Sequence, residues 1–250
     1  MIIGILLHPY DEDKPAGLGR YIFEIIYAMI KQDQINDYII YVKRKPRTPP
    51  SFPGNNWRVE VLPGNTPLWL GWSFRKAARA DVYLFNTPVI PFFLRSGKFV
   101  VIALDFAYRY LKVDRFRDHF SNILLRWYHG HSLRRADCVV AISGATKKEA
   151  TKLHHIPEEK ITVVYPGFTK ICMLPEEKMS VLHPFFFFVG VLKERKNPFS
   201  VIKAFIQFRK KHPDFFLVIA GKGSGSYYDE MVKYINKNNA EDAIILTGFI

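Results

Sequence analysis

Short apolar runs alternate with longer amphipathic runs along most of the chain, a pattern that predicts parallel strands joined by helices. Ile2 to Leu7 reads as a first strand, followed by a glycine-bearing loop and a helix from about Arg20 to Lys31. Further strands are expected at Tyr38 to Val42, Arg58 to Leu62, Asp81 to Phe85, Phe99 to Leu104, Asp137 to Ile142 and Ile161 to Tyr165. Helices from about Arg117 to Arg135 and from about Ala145 to Leu153 separate the last three, while Lys45 to Asn56, with four prolines, reads as a surface loop.

After Tyr165-Pro166-Gly167 the pattern weakens as far as Pro184 and then begins again. The second series runs from a strand at Phe185 to Val189 through a helix to about Lys211, a strand at Phe215 to Ala220, a helix at about Tyr227 to Lys237 and a strand at Ala243 to Leu246. We therefore expect a first domain over residues 1–170, a linker over 171–184 and a second domain over 185–250. The second series supplies only half of a doubly wound sheet, so that domain is expected to be incomplete.

At 250 residues and 48% hydrophobic composition the chain can bury a sizeable core. No apolar run reaches the roughly 18–20 residues that span a bilayer, and no secretory leader pattern is seen at its start. Of the two cysteines, Cys138 lies in the apolar run Cys138 to Ile142, where a thiol behaves as a small hydrophobe. A reducing cytoplasm is the expected compartment.

Lysine and arginine (36) exceed aspartate and glutamate (23), a formal charge of +13 that calls for an anionic partner. The basic clusters are Lys43-Arg44-Lys45, Arg75-Lys76 with Arg79, and Arg134-Arg135. No helix-turn-helix, zinc-finger spacing or aromatic RNA-binding signature accompanies them, so nucleic acid is not the expected partner. A solvated basic surface and an anionic membrane remain. Leu68 to Arg79 sets Trp69 and Trp72 beside these cations, which suits an interfacial helix or, equally, a helix packing its aromatics on a sheet.

The chemistry concentrates where strands end. In "FFFFVGVLKERKNPFSVIKAF", residues 185–205, Asn197 suits an N-cap and Pro198 the first helical position. Val201, Ile202, Phe205 and Phe208 then share a face that packs on the sheet entered by Phe185 to Val189, a strand apolar enough to be expected buried. Arg195 and Lys196 add charge at a helix start already suited to anions, which points to a phosphate or diphosphate, against the alternative of a solvated basic loop. "KPAGLGRY", Lys14 to Tyr21, and "AGKGSGS", Ala220 to Ser226, offer glycines between strand and helix; each is either an anion-approach loop or a plain turn. A dinucleotide site would want an acid after the second strand, where this chain has Lys43-Arg44-Lys45, so NAD is disfavoured.

His8 and Asp105 follow the first and fifth strands, at the carboxyl edge where open α/β sheets place ligands, although a packed imidazole and a turn cap explain them as well. Ser143 is a candidate N-cap or cleft residue, and Thr146 with Glu149 could form a capping box. There is no metal-ligand spacing, nucleophile elbow or Walker loop.

Together these pieces resemble the retaining, nucleotide-sugar-dependent glycosyltransferases of the GT-B fold, with two Rossmann-like domains, and within them glycosyltransferase family 4. The resemblance rests on "AGLGRYIFEII", "AISGATKKEATKLHHIPEEKITVVYPG", "FVGVLKERKNPFSVIKAF" and "FFLVIAGKGSG", in that order. It implies that Arg195 and Lys196, with the Gly190 turn, bind the donor diphosphate, approached by the backbone of Gly17 and Gly19. It further implies transfer with retention and without a metal or other cofactor, the leaving diphosphate being stabilised by cations and helix dipoles. The implied acceptor is a glycan or lipid-linked glycan of the cell envelope, made at the inner membrane face. His8 and Ser143 are acceptor-side candidates and Asp105 the catalytic candidate. The chain departs from the family pattern at Ala16, where a glycine is usual, and at Leu104, where a histidine is usual. The family's spaced glutamate pair would fall beyond Ile250, so the expected alternative is a non-catalytic or split-transferase partner protein.

Overall fold

The computed structural model describes residues 1–8, 17–62, 74, 75, 77, 79–106, 116–168 and 184–249, with Leu18 and residues 116–122 as backbone only. It divides into two compact units, Met1–Thr169 and Lys170–Ile250. Trp69, Trp72, Lys76 and Cys172 lie outside the described residues.

In the first unit, β1 (Ile2–Leu6), β2 (Asp37–Val42), β3 (Trp57–Val61), β4 (Val82–Phe85), β5 (Lys98–Ala103), β6 (Cys138–Ala141) and β7 (Ile161–Val163) form one sheet in the order β3-β2-β1-β4-β5-β6-β7. Every pairing is parallel. Successive residues point to opposite faces, and both faces are covered. Leu6, Ile39, Tyr41, Tyr83, Phe85 and Val101 fill one core. Ile5, Leu7, Tyr38, Ile40, Leu84 and Ile102 fill the other. This two-sided burial is why the strands read as continuous apolar runs rather than alternating ones.

Helix α1 (Gly17–Gln32) drives Ile22, Ile26 and Ile30, spaced four apart, into the second of these cores. Gly17 and Gly19 therefore belong to its first turn, not to the loop expected before it, because the helical register starts one turn earlier than the apolar pattern does. Helix α2 (Phe116–Arg135) packs through Leu133, with Ala136 just beyond its end, and α3 (Gly144–His154) through Ala150.

The second unit holds β8 (Phe185–Val189), β9 (Phe216–Ala220) and β10 (Ile244–Gly248), ordered β10-β9-β8 and all parallel. Helices α4 (Pro198–Arg209) and α5 (Ser226–Lys237) bury Ile202, Phe205, Ile206, Met231 and Ile235 against Leu217 and Ile219. The order repeats the β3-β2-β1 half of the first sheet. There the central β1 has β4 on its far side, whereas β8 has no neighbour on that side among the described residues.

The expectation that Phe185 to Val189 is buried is corrected accordingly. Phe186 packs edge-on against Phe205 and Phe208. Even so, Phe185, Phe186, Phe187 and Val189 all stand exposed, at 44%, 46%, 54% and 68%. Among the described residues no helix is long and apolar enough to cross a membrane.

Candidate functional site

The carboxyl ends of β8 and β9 carry two turns that lie against each other. The Gly190 amide donates to Ala220 O at 2.9 Å and the Leu192 amide to Lys222 O at 3.0 Å, so the strand pairing runs on into the loops. Gly190 and Gly221 both have φ of +154°, and a Cβ on Gly221 would stand 1.8 Å from Gly190 O. Only glycine permits that approach. The pairing draws Lys222 beside the loop that bears Lys193, Arg195 and Lys196, all of them exposed. Lys193 and Lys222 are additions to the expected cations; a lysine inside each glycine-bearing turn was their only signal in the sequence.

A 3₁₀ turn, Glu194–Lys196, holds Arg195 and Lys196 ahead of Asn197. Asn197 is the N-cap, as expected, with Pro198 next. It takes the left-handed conformation, φ +50°, which asparagine tolerates better than most residues. Its Oδ1 accepts from the Ser200 amide at 3.4 Å and from Ser200 Oγ at 2.9 Å. The Phe199 amide points to the Tyr227 hydroxyl at 3.4 Å. Pro198 has no N–H, so the first turn of α4 has little left to offer an anion. An anion at this loop would be met chiefly by the side-chain cations.

In the first unit the sheet's carboxyl edge brings together His8, Asn86, Asp105 and Ser143, after β1, β4, β5 and β6 respectively. Asn86 is fully buried and donates through Nδ2 to His8 O at 2.5 Å, tying the ends of β1 and β4 together. Asn86 escaped the sequence reading, where a polar residue directly after an apolar strand was its one sign. Burial, with Lys43 as the second cause, pushes the His8 imidazole below its usual range, so it is neutral at pH 7.

Ser143 is the N-cap of α3: Oγ accepts from the Thr146 amide at 3.1 Å. The expected box of Thr146 with Glu149 does not form, because the helix starts one turn before Thr146. That residue instead donates from Oγ1 to Leu104 O at 3.0 Å and fixes the backbone beside the exposed Asp105. Phe106, fully buried, anchors the other side. Gly17 is exposed, with open space where a Cβ would be. Among the described residues no three His, Cys, Asp or Glu side chains cluster as metal ligands would.

Residues 15–169 match the model of Glycosyltransferase Family 4, and residues 177–250 that of Glycosyl transferases group 1. The chain belongs to glycosyltransferase family 4. This family-4 chain also resembles solved structures. HepE of Anabaena, crystallised with UDP and glucose, is 16% identical with a TM-score of 0.65, the match covering 99% of this chain and 69% of HepE. WaaG, a glycosyltransferase involved in lipopolysaccharide biosynthesis, is 12% identical at TM-score 0.68, covering 99% of this chain and 70% of WaaG. The lipopolysaccharide outer core galactosyltransferase WaaB is 14% identical at 0.60, covering 100% and 68%. These likenesses establish the GT-B type fold, with a second Rossmann-like unit that holds part of the usual sheet. No curated protein sequence is significantly similar.

Proposed function

We propose that the chain supplies the acceptor-side domain and the diphosphate-binding part of the donor domain of a retaining glycosyltransferase that uses a nucleotide-diphosphate sugar. The observation that carries this reading is the cation loop after β8, with Arg195, Lys196, Lys193 and the adjoining Lys222 presented around the Gly190–Gly221 contact. A diphosphate leaving group develops negative charge as the sugar departs. Lysine and arginine placed at its oxygens stabilise that charge with no metal ion, and Arg195 can grip two oxygens at once. Gly17 and Gly19, in the first turn of α1, are the first unit's candidates, carried over from the family pattern, for backbone contact with a diphosphate. On the acceptor side, Asp105 is the candidate for the group beside the reacting hydroxyl. His8 and Ser143 line the same edge, where a neutral His8 would accept a hydrogen bond from an acceptor hydroxyl. Relatives in lipopolysaccharide synthesis support a cell-envelope glycan or lipid-linked glycan as acceptor.

A second reading is favoured by one observation: among the described residues β8 has no neighbour on one side, and its Phe187 and Val189 are more than half exposed. A chain in that state suits a non-catalytic or split-transferase partner whose sheet another segment completes. Assay of UDP or GDP release from a panel of nucleotide sugars separates the two. Release that disappears in Asp105→Asn supports transfer, whereas nucleotide binding without release from any donor favours the second reading.

A further inference from the structure

Tyr227, half-buried in the first turn of α5, reaches across to the start of α4, where its hydroxyl oxygen accepts from the Phe199 amide at 3.4 Å. That amide is the last one open in the first turn of α4. The Asn197 amide donates to Glu194 O, Pro198 has no N–H, and the Ser200 amide is held by Asn197 Oδ1. A phenol has one hydrogen to donate and two lone pairs to offer. Since a lone pair meets Phe199, the Tyr227 hydrogen turns elsewhere, and among the described residues no acceptor takes it.

The ring is held in place. It meets Phe199 edge-on at 6.2 Å between centroids, and Phe199 meets Tyr234 at 5.2 Å with Lys203 Nζ 4.4 Å over its ring. The adjacent Tyr228 lies so close on Gly223 that a Cβ there would stand 2.1 Å from its ring. Gly223 in turn pairs with Leu192. The first turn of α5 is therefore fixed to both basic turns, the one with Lys193, Arg195 and Lys196 and the one with Lys222.

We propose that Tyr227 is a further ligand of the diphosphate, donating its hydroxyl hydrogen to a phosphate oxygen held by the cation loop. Arg195 and Lys196 immediately precede α4, whose second residue carries the contact, so the acceptor beside the hydroxyl is the anionic group that they hold. An O–H donated to an anionic oxygen is among the stronger hydrogen bonds. The Phe199 N–H polarises the phenol oxygen and strengthens that donation, so the positive end of α4 acts on the ligand through the tyrosine. The proposal rests on the donor-site reading above and adds to its cations a neutral, directed contact from a second helix.

The test is calorimetric titration of UDP, GDP and inorganic pyrophosphate into the wild-type chain and into Tyr227→Phe, which keeps the ring and deletes the hydroxyl. Affinity is expected to fall about tenfold for all three, with the melting temperature unchanged. Tyr228→Phe deletes the neighbouring hydroxyl, which faces another side of the helix, and is expected to leave the affinities as they are. Wild-type affinity in Tyr227→Phe, alongside lost binding in Arg195→Ala with Lys196→Ala, would overturn this proposal and leave the donor-site reading standing. A fall for one nucleotide only, with pyrophosphate unaffected, would move the contact to the base and overturn it as well, as would an equal fall in Tyr228→Phe. A wild-type chain that binds none of the three would remove both readings.

Discussion

A Cβ placed on Gly221 would sit 1.8 Å from the carbonyl oxygen of Gly190, so the turns after β8 and β9 touch backbone to backbone. Gly221→Ala must push them apart, with φ already at +154°. We expect the second unit to lose about 2–4 kcal/mol of stability. Urea unfolding of the variant checks this; an unchanged midpoint would refute it.

Thr146→Val keeps the volume but deletes the hydrogen bond to Leu104 O in a nearly buried position. The cost expected is about 1–2 kcal/mol, the penalty for leaving a partly buried carbonyl without this donor. If Asp105 acts on the acceptor, the acceptor KM rises while nucleotide affinity holds. Parallel isothermal titration and initial-rate measurements separate the two effects.

Acid should weaken the first unit. Burial, reinforced by the charge of His154, lowers His129 from 6.5 to about 4. Between those values the unfolded chain binds a proton that the folded one refuses, so stability is full above pH 6.5 and falls as pH drops towards 4. The loss from this group is about 3 kcal/mol at most. His8, also lowered, acts in the same sense. Thermal unfolding at pH 7 and pH 5 should show the fall, and His129→Gln should flatten it. A melting temperature indifferent to pH in that window would contradict the assignment.

The bidentate contact of Arg209 with Asp242, at 3.0 and 3.1 Å, joins the end of α4 to the start of β10. Asp242 is exposed, so Asp242→Asn is expected to cost less than about 1 kcal/mol. Urea titration in low and high salt would show the small difference shrinking with salt.

Most of the fold was legible because both faces of the first sheet are covered, which writes each strand as an unbroken apolar run. Asn197 and Ser143 were legible as caps because capping is local chemistry. What escaped depends on neighbours distant in sequence. The Phe185 run is apolar enough for a central strand, yet β8 has no neighbour on one side among the described residues, and it lies exposed. Lys222 joins the cation loop only through the parallel pairing of Leu192 with Gly223. Asn86 matters only because β4 is hydrogen-bonded to β1. The engagement of the Phe199 amide by the Tyr227 hydroxyl likewise escaped, since Tyr227 comes from another helix.

The most direct test of the donor site is calorimetric titration of UDP and GDP into the wild-type chain and into Arg195→Ala with Lys196→Ala. Both side chains are exposed, so the double variant should fold and melt as the wild type does. Nucleotide binding weakened at least about tenfold, with melting unchanged, is the expected result. Equal affinity in wild type and double variant would contradict the assignment of this loop as the diphosphate site.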